Sequence, residues 1–351
     1  MLKNVILSLL LVCSITLSSK AQHIEALQQG KRTSIRGLSV VDDSVAWISG
    51  SRGNIAITTN GGKTWAWQQV KGFEMADFRD IEAFSGKDAV IMSSGTPALI
   101  LKTTDGGANW QVKYRNTDTA YFLDAMDFDN PKHGLVLGDP IKNKFLLLET
   151  NDGAETWHPF KNQPNAMKGE AAFAASGTCL RIYKGYISIV TGGSVARIDN
   201  YYPKNNEWIY EYLPIKQGKS SQGAFSVSED GQVYVGGDYS KDKLSDSTAC
   251  LFDPTIAGVK NGLRASKKFP GGFQSCVEYL FDRKFKFPDD SKTLLSGFYI
   301  STGTSGTNIS NDGGFNWQQI DNISYNVCRK AKNGKLVLLA GDGGKIGVFI
   351  P

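Results

Sequence analysis

The chain has 351 residues, with 39 lysine and arginine, 34 aspartate and glutamate and three histidine residues, giving a formal net charge of +5. The charges are spread along the chain, so nothing indicates nucleic-acid binding. With so few histidines and no HExxH, CxxC, GxSxG or GxGxxG motif, no metal, cofactor or His-based catalytic triad is expected.

The first 21 residues have the features of an export signal. Lys3 supplies a positive charge, 5–17 is apolar, and small residues precede an expected cleavage after Ala21. The apolar stretch is too short to be a good membrane span. We therefore expect residues 22–351 to form an exported protein, periplasmic or secreted, without a membrane span.

A seven-residue phrase that ends in tryptophan recurs four times. The copies lie at 59–65, 104–110, 151–157 and 311–317. The first three tryptophans are 45 and 47 residues apart, and the last gap of 160 residues holds about three more units. A period in this range is typical of propellers and other repeat architectures.

Each period contains four short strands joined by turns, which is the make-up of a propeller blade. Seven units are predicted, at about 33–72, 73–116, 117–164, 165–216, 217–270, 271–320 and 321–351. The second strand of each unit is expected to end in a glycine: Gly50, Gly95, Gly138, Gly193, Gly237, Gly297 and Gly341.

The last unit reaches Pro351 before its fourth strand, whereas residues 22–30 precede the first unit without a blade of their own. We expect 22–30 to supply the outer strand of the last blade, which would close the ring and protect exposed sheet edges. The predicted fold is therefore all-β: one seven-bladed propeller of four-stranded antiparallel blades.

The repeated turn, Thr-x-Asp-Gly-Gly-x-x-Trp, is predicted to be structural. A short Asp or Asn side chain accepts hydrogen bonds from turn amides, the glycines supply positive φ, and the tryptophan packs across the hairpin. Equivalent turns of different blades cannot converge on one substrate, so these residues are not assigned catalytic roles. They are Asn60, Trp65, Asp105, Trp110, Asp152, Trp157, Asp312 and Trp317.

Blade topology predicts that the first strand begins where the second ends, with the repeated turn at the other end of the ring. Residues at the shared end are expected to form a polar funnel of mixed charge, because loops on a rigid scaffold concentrate binding residues. Solvated turn residues are the alternative for each one. The candidates are Arg36, Arg52, Arg79, Asp80, Asp124, Asp139, Asp238 and Asp342.

Four cysteines follow the signal, and an even number in an exported protein permits disulfides. Small buried core thiols are the favoured interpretation of Cys179, Cys250, Cys276 and Cys328. A disulfide is the alternative, and repeat position makes Cys276–Cys328 the best candidate for it. The acidic run 127–130 is interpreted as a polar turn rather than a calcium site.

The repeated turn is the Asp-box, which resembles the repeat of sialidases and, more closely, the propellers of the photosystem II assembly/stability factor family. The phrase Gly50-x-x-Gly53-x-Ile55, continuing to Trp65, carries this resemblance, with a partial echo at Gly341-x-x-Gly344. The resemblance implies a non-catalytic scaffold that binds other proteins during assembly. We expect a protein or peptide of the cell envelope as the partner, and a monomer.

A sialidase-like glycoside hydrolase, or a carbohydrate-binding propeller, is the alternative function. Sialidases need an arginine cluster; Arg36 and Arg79 could imitate its start, but the Arg-Ile-Pro signature is missing. A simpler glycosidase would need two carboxylates, such as Asp80 and Asp124, at a suitable separation.

Overall fold

A computed structural model describes residues 22–183, 185–253, 262–286 and 293–351, with backbone only for 283–286 and 293–295. The predicted export signal lies outside the described residues. Within them, regular structure is β-strand except for one 3-10 turn, η1 (Tyr239–Lys241). None of the helical segments in these ranges is long and apolar enough to span a membrane.

The strands form seven antiparallel sheets. A first strand, β1 (His23–Gln28), precedes the first sheet. That sheet has the order β2 (Ile35–Val40), β3 (Ala46–Gly50), β4 (Asn54–Thr58), β5 (Ala66–Gln69). The second is β6 (Asp77–Ala83), β7 (Ala89–Ser94), β8 (Ala98–Thr103), β9 (Gln111–Asn116). The third is β10 (Leu123–Phe128), β11 (Gly134–Ile141), β12 (Lys144–Thr150), β13 (His158–Pro159).

Two-residue strands accompany the next two sheets. They are β14 (Glu170–Ala171) and β17 (Gly192–Gly193). The fourth sheet is β15 (Leu180–Tyr183), β16 (Tyr186–Val190), β18 (Arg197–Tyr202), β19 (Glu207–Tyr212). The fifth runs β14-β17 and then β20 (Lys219–Val227), β21 (Val233–Asp238), β22 (Ala249–Phe252), β23 (Leu263–Ala265).

The last two sheets complete the chain. The sixth is β24 (Cys276–Lys286), β25 (Thr293–Gly303), β26 (Gly306–Ser310), β27 (Gln318–Asp321). The seventh is β28 (Val327–Lys330), β29 (Val337–Gly341), β30 (Lys345–Ile350), with β1 added at its outer edge.

The first strands of successive sheets contact one another around an axis. Contacts run from β2 to β6, β10, β15, β20, β24 and β28, and from β28 back to β2. The prediction of an all-β propeller built from four-stranded antiparallel sheets is confirmed. The fifth sheet departs from it, because β14 and β17 add to β20 on the inner side. Gly192 and Gly223 permit this, since a side chain on either would overlap the backbone of the other.

The N-terminal strand pairs antiparallel with the C-terminal strand. Ile24 is opposite Phe349, and Glu25 is opposite Val348. Ile24 is buried in a hydrophobic cluster that includes residues of the first, sixth and seventh sheets. The two ends of the chain therefore share one sheet.

The repeated turns are held by the side chains that the motif repeats. In the second copy, an Asp105 carboxylate oxygen accepts hydrogen bonds from the Asn109 amide at 2.9 Å and from the Thr103 hydroxyl at 2.9 Å. In the first copy, the Asn60 side-chain oxygen accepts from the Thr64 amide at 3.0 Å. The motif thus satisfies turn amides that would otherwise lack partners.

All four cysteines after the predicted signal are buried and free. The candidate pair, Cys276 and Cys328, lies on the adjacent inner strands β24 and β28, and the Cys276 thiol donates to the Cys328 carbonyl at 3.3 Å. Within the described residues the four thiols are therefore core side chains and not disulfides.

A chain that begins at Gln29 instead of Gln22 should melt at a lower temperature, by about 5 °C or more, because it loses β1 and exposes the edge of β30. Differential scanning calorimetry would measure the shift. Glu25→Ser, which changes an exposed side chain of β1, is the control and should leave the melting temperature nearly unchanged. Equal melting of the shortened and full-length mature chains would contradict closure by β1.

Candidate functional site

Two cavities open on the central channel, one toward each end. The larger, about 440 Å³, lies where the first strands begin; it is called the funnel here. The other, about 310 Å³, lies farther along the same strands, toward the repeated turns. The funnel is lined by Arg36, Arg79, Phe122, Asp124, Asp139, Ala172, Phe173, Ala174, Ala175, Phe225, Tyr239, Phe273, Ser275, Thr304, Asn326 and Asp342.

Irregularities in the inner strands place four of the funnel side chains. The pairing registers of β2, β6 and β10 each skip one residue close to the start of the paired region, and that of β20 skips one residue after its third pair. A β-bulge bends the strand and re-aims the side chain of the extra residue. The skipped residues are Arg36, Arg79, Asp124 and Phe225, and all four line the funnel. The same type of β-bulge therefore directs two arginines, one aspartate and one phenylalanine into the funnel.

One wall of the funnel is aromatic. The rings of Phe173 and Phe225 are stacked, with centroids 3.8 Å apart and planes 9° apart. Phe273 meets Phe225 edge-on at 4.7 Å, and Tyr239 meets it edge-on at 6.1 Å. Such a cluster offers apolar area to a ligand at little cost in side-chain entropy.

The opposite wall is charged. Arg79 pairs through Nε with Asp77 at 2.7 Å and reaches the Ala174 carbonyl at 3.4 Å. Among the described residues, the Arg36 guanidinium has neither an ion pair nor a hydrogen bond; burial and the neighbouring Arg79 lower its pKa. Asp342 is exposed, and hydrogen bonds from Ser34 and Asn326 outweigh its partial desolvation and lower the pKa of its carboxyl. Arg36 is thus a cation available to a ligand.

The floor of the funnel holds polar atoms without partners. Asp124 is 1% exposed, and neither of its carboxyl oxygens has a hydrogen-bond partner of good geometry. Oδ1 of Asp139 is buried and unpartnered as well; so is Oγ1 of Thr304, which lies in the β25–β26 turn of the sixth sheet. Burial and the nearby Asp139 raise the pKa of Asp124 well above its ordinary value, against the opposing influence of Arg79 and the Ala174 amide. Burial also raises the pKa of Asp139.

The loop that joins β14 to β15 separates the two cavities. Arg79 holds the Ala174 carbonyl from one side, and Arg329 donates to the Ser176 carbonyl at 3.1 Å from the other. The Ser176 hydroxyl donates to the Ser275 carbonyl at 2.7 Å. Gly177, at φ 71°, lies against Asp80 so closely that a Cβ there would overlap the carboxylate. Residues 172–178 therefore cross the channel and form the base of the funnel.

Charged side chains line the second cavity, but they have partners within the protein. Asp80 accepts from the amides of Ile81 at 2.9 Å and Met126 at 2.7 Å. Glu278 lies 3.2 Å from Arg181 and 4.0 Å from Arg329. Burial nevertheless raises the pKa of Asp80 to about 7 and that of Glu278 to about 7. Across the described ranges, no cluster of three or more His, Cys, Asp or Glu residues could hold a metal ion.

Five of the eight predicted funnel residues line the funnel. They are Arg36, Arg79, Asp124, Asp139 and Asp342. Asp80 lies instead at the second cavity, where it joins β6 to β10, and so does not share a cavity with Asp124. Arg52 is exposed on a loop at φ 61°, outside the funnel lining.

Asp238 lies just behind the aromatic wall, at the start of η1. It accepts from Ser240 and, at 2.9 Å, from Gln222. Although burial opposes ionisation, these hydrogen bonds lower the pKa of Asp238 far below its ordinary value. Its carboxylate therefore holds Tyr239 in place and does not line the funnel.

The aromatic wall was not predicted as part of the site. Phe173 and Phe273 open their units in the sequence, and Phe225 is the second residue of its opening segment. A signal was available, because units three to six lack an arginine at this position and each has a phenylalanine near it.

A family model described as "Photosynthesis system II assembly factor YCF48" matches residues 18–117. The chain is 25% identical over 294 residues to "Photosystem II assembly lipoprotein Ycf48" of Synechococcus sp. (strain CC9902), covering 80% of this chain and 73% of that protein. It is 36% identical over 73 residues to "Photosystem II stability/assembly factor HCF136, chloroplastic" of Oryza sativa subsp. japonica, covering 20% of this chain and 17% of that protein.

Solved structures with the same fold include "YCF48 bound to D1 peptide", with a TM-score of 0.62, 16% identity and coverage of 95% of this chain and 96% of that chain. "YCF48 from Cyanidioschyzon merolae" gives a TM-score of 0.63 at 14% identity, covering 93% and 98%. The expected resemblance to photosystem II assembly factors is confirmed by the sequence matches, and the structures agree in fold.

Replacing Asp124 by Asn should stabilise the protein, and the gain should grow with pH. The unfolded carboxyl releases its proton near the ordinary pKa of 3.8, whereas folded Asp124 keeps it to a higher pH. The wild type therefore loses stability as pH rises from that value toward the raised pKa. Asn has nearly the same shape without the charge, so we expect a gain of about 1–3 kcal/mol at pH 7.5.

Urea unfolding at pH 4.5, 6 and 7.5 would measure this gain. Asp342→Asn is the control, because its carboxylate accepts hydrogen bonds from Ser34 and Asn326 and its replacement should destabilise the fold. A constant difference between Asp124→Asn and wild type at all three pH values would contradict the assignment of a buried, proton-retaining carboxyl.

Gly177→Ala should destabilise the protein more than Gly231→Ala. Both glycines have φ 71°, but a Cβ at Gly231 would meet nothing within 4 Å, whereas one at Gly177 would overlap Asp80. The left-handed backbone costs about 1 kcal/mol in both variants, and the overlap should cost a further ~1–3 kcal/mol only at Gly177. Equal losses in chemical denaturation would argue against the close packing of the crossing segment.

Proposed function

We propose that this chain is an exported, non-catalytic propeller that binds a protein or peptide partner in the funnel, similar to photosystem II assembly factors. The observation that carries the proposal is the division of the funnel into an aromatic wall and a charged wall. Such a pocket suits a peptide segment, in which apolar side chains and charged groups alternate over short distances.

The aromatic wall supplies the contact area. Phe173, Phe225 and Phe273 hold one another in fixed positions, so an apolar side chain of the partner can pack against them without ordering flexible groups. Tyrosine and phenylalanine are enriched at the centres of protein interfaces. The cavity of about 440 Å³ is within the range of pockets that accept small ligands or single peptide segments.

The charged wall supplies orientation. Arg36 is bulged into the cavity and has no ion pair among the described residues, so a carboxylate or backbone carbonyl of the partner can accept from it without breaking an internal contact. Arg79 is partly engaged with Asp77 and Ala174 and provides a more rigid neighbouring charge.

The funnel lining supports binding rather than covalent chemistry. It contains no histidine, cysteine or lysine, and its serine, Ser275, donates to the Asn326 carbonyl at 2.7 Å instead of to a base. The two carboxylates considered for a glycosidase, Asp80 and Asp124, belong to different cavities. The similarity to an assembly lipoprotein and to a solved peptide complex favours the same conclusion.

Capture of envelope proteins on immobilised protein should distinguish wild type from the Arg36→Ala/Arg79→Ala variant. Quantitative mass spectrometry should show at least a fivefold loss of the captured partner, because two of the funnel's cations are removed. The control is Lys63→Ala/Lys87→Ala, which removes two exposed positive charges near the repeated turns. Both variants must melt as cooperatively as wild type.

Identical partner lists for wild type and the arginine variant would count against the funnel as the binding site. Hydrolysis of aryl glycosides, including sialosides, would count against a non-catalytic role. That result would favour the carbohydrate alternative if Asp124→Asn also abolished the turnover.

A further inference from the structure

We infer that the floor of the funnel binds an ammonium group of the partner peptide, held by Asp124 and Asp139. This inference rests on the proposed peptide-binding function and adds the chemistry that the funnel selects. The ammonium can come from a lysine side chain or from the peptide's N-terminus, and the two sources are separated in the experiment below.

The first support is the set of unpartnered atoms. Both carboxyl oxygens of Asp124 and one of Asp139 are buried without a hydrogen-bond partner of good geometry, and both residues line the same cavity. Buried polar atoms in native proteins are nearly always hydrogen-bonded, and exceptions call for a ligand, ion or water. Leaving a carboxyl unsolvated is especially costly.

The second support is the type of group that these atoms can accept. Carboxylates accept hydrogen bonds only, and two of them close together repel, so a bound group that carries several N–H donors and a positive charge relieves both costs. An ammonium has three donors, which is enough to serve both carboxylates at the floor. A second carboxylate or a neutral carbonyl would add to the excess of acceptors.

The third support is that the charged groups of the protein do not already fill this role. The Arg79 side chain faces Asp124 from β6, but its Nε is bound to Asp77 at 2.7 Å, and no ion pair joins it to Asp124. The remaining groups that face the floor are Asp139 from β11 and the buried thiol of Cys179. Arg36 lies farther around the funnel, beside Asp342.

The aromatic wall specifies what should accompany the ammonium. Phe225, like Asp124, is the extra residue of a β-bulge, and both side chains line the same cavity. A lysine places its ammonium at the end of a four-carbon stem that can lie against this wall, and an adjacent phenylalanine adds apolar area. The favoured ligand is therefore a basic residue next to an apolar one.

Isothermal titration calorimetry with capped dipeptides tests the inference. The lysine probe is Ac-Phe-Lys-NH2, its neutral analogue is Ac-Phe-Nle-NH2, its acidic analogue is Ac-Phe-Glu-NH2, and Phe-NH2 presents only an N-terminal ammonium. At pH 7.5 we expect the lysine probe or Phe-NH2 to bind at least ~10-fold more tightly than the norleucine probe, which corresponds to about 1.4 kcal/mol.

Two variants locate the preference. Asp124→Asn should remove it, leaving the lysine and norleucine probes equal, whereas Glu25→Gln, which changes an exposed carboxylate of β1 outside the funnel, should keep it. The preference should also weaken in the wild type as the pH is lowered from 7.5, because the raised pKa of Asp124 favours its protonated, uncharged form. In Asp124→Asn the pH dependence should be reduced.

Equal binding of the lysine, norleucine and Phe-NH2 probes, or the absence of binding by all of them, would overturn the inference. Tighter binding of the glutamate probe would do so as well, since it would assign the funnel to anions. Binding of calcium that competes with the lysine probe would replace the ammonium by a metal. If the partner capture still depends on Arg36 and Arg79 in any of these cases, the proposed function stands and only the floor inference fails.

Discussion

The funnel depends on a local constraint of the inner strands, four of which bulge by one residue beside the cavity. A bulge costs part of the sheet's hydrogen bonding, but it turns a side chain out of the strand-to-strand packing and into the channel. The same irregularity therefore provides Arg36, Arg79, Asp124 and Phe225 from four different sheets. Because the surrounding strands are buried, the positions of these side chains are fixed before any partner arrives.

Much of this architecture can be read from the sequence, since the repeated phrase marks the hairpin turns and alternating apolar runs mark the strands. The pairing register is harder to predict, because a shift of one residue changes which side chain faces the channel. Asp80 and Asp124 both follow a Phe-x pattern, yet β6 skips Arg79 and β10 skips Asp124. For the same reason, the prediction that Gly297 ends the second strand of its unit is wrong. Gly297 pairs within the long strand β25, which ends at Gly303.

The two halves of the funnel differ because the sheets that form them differ. The third copy of the repeated turn is followed by two units that lack it, and these supply Phe173 and Phe225. Close approach of their backbones at Gly192 and Gly223 joins β14 and β17 to the fifth sheet. Loss of the repeat and gain of the aromatic wall thus occur in the same part of the ring, where regular blade geometry is relaxed.

The floor of the funnel carries a cost that the fold alone does not explain. Segment 172–178 closes the channel beneath Asp124 and restricts water, and it supplies only weak amide interactions to that carboxyl in return. An apolar residue at this position would be easier to bury. A buried acid that weakens the folded state is a common compromise at binding sites, where stability is exchanged for affinity. A cationic partner group would recover that loss on binding, so stability and recognition are linked through one carboxyl.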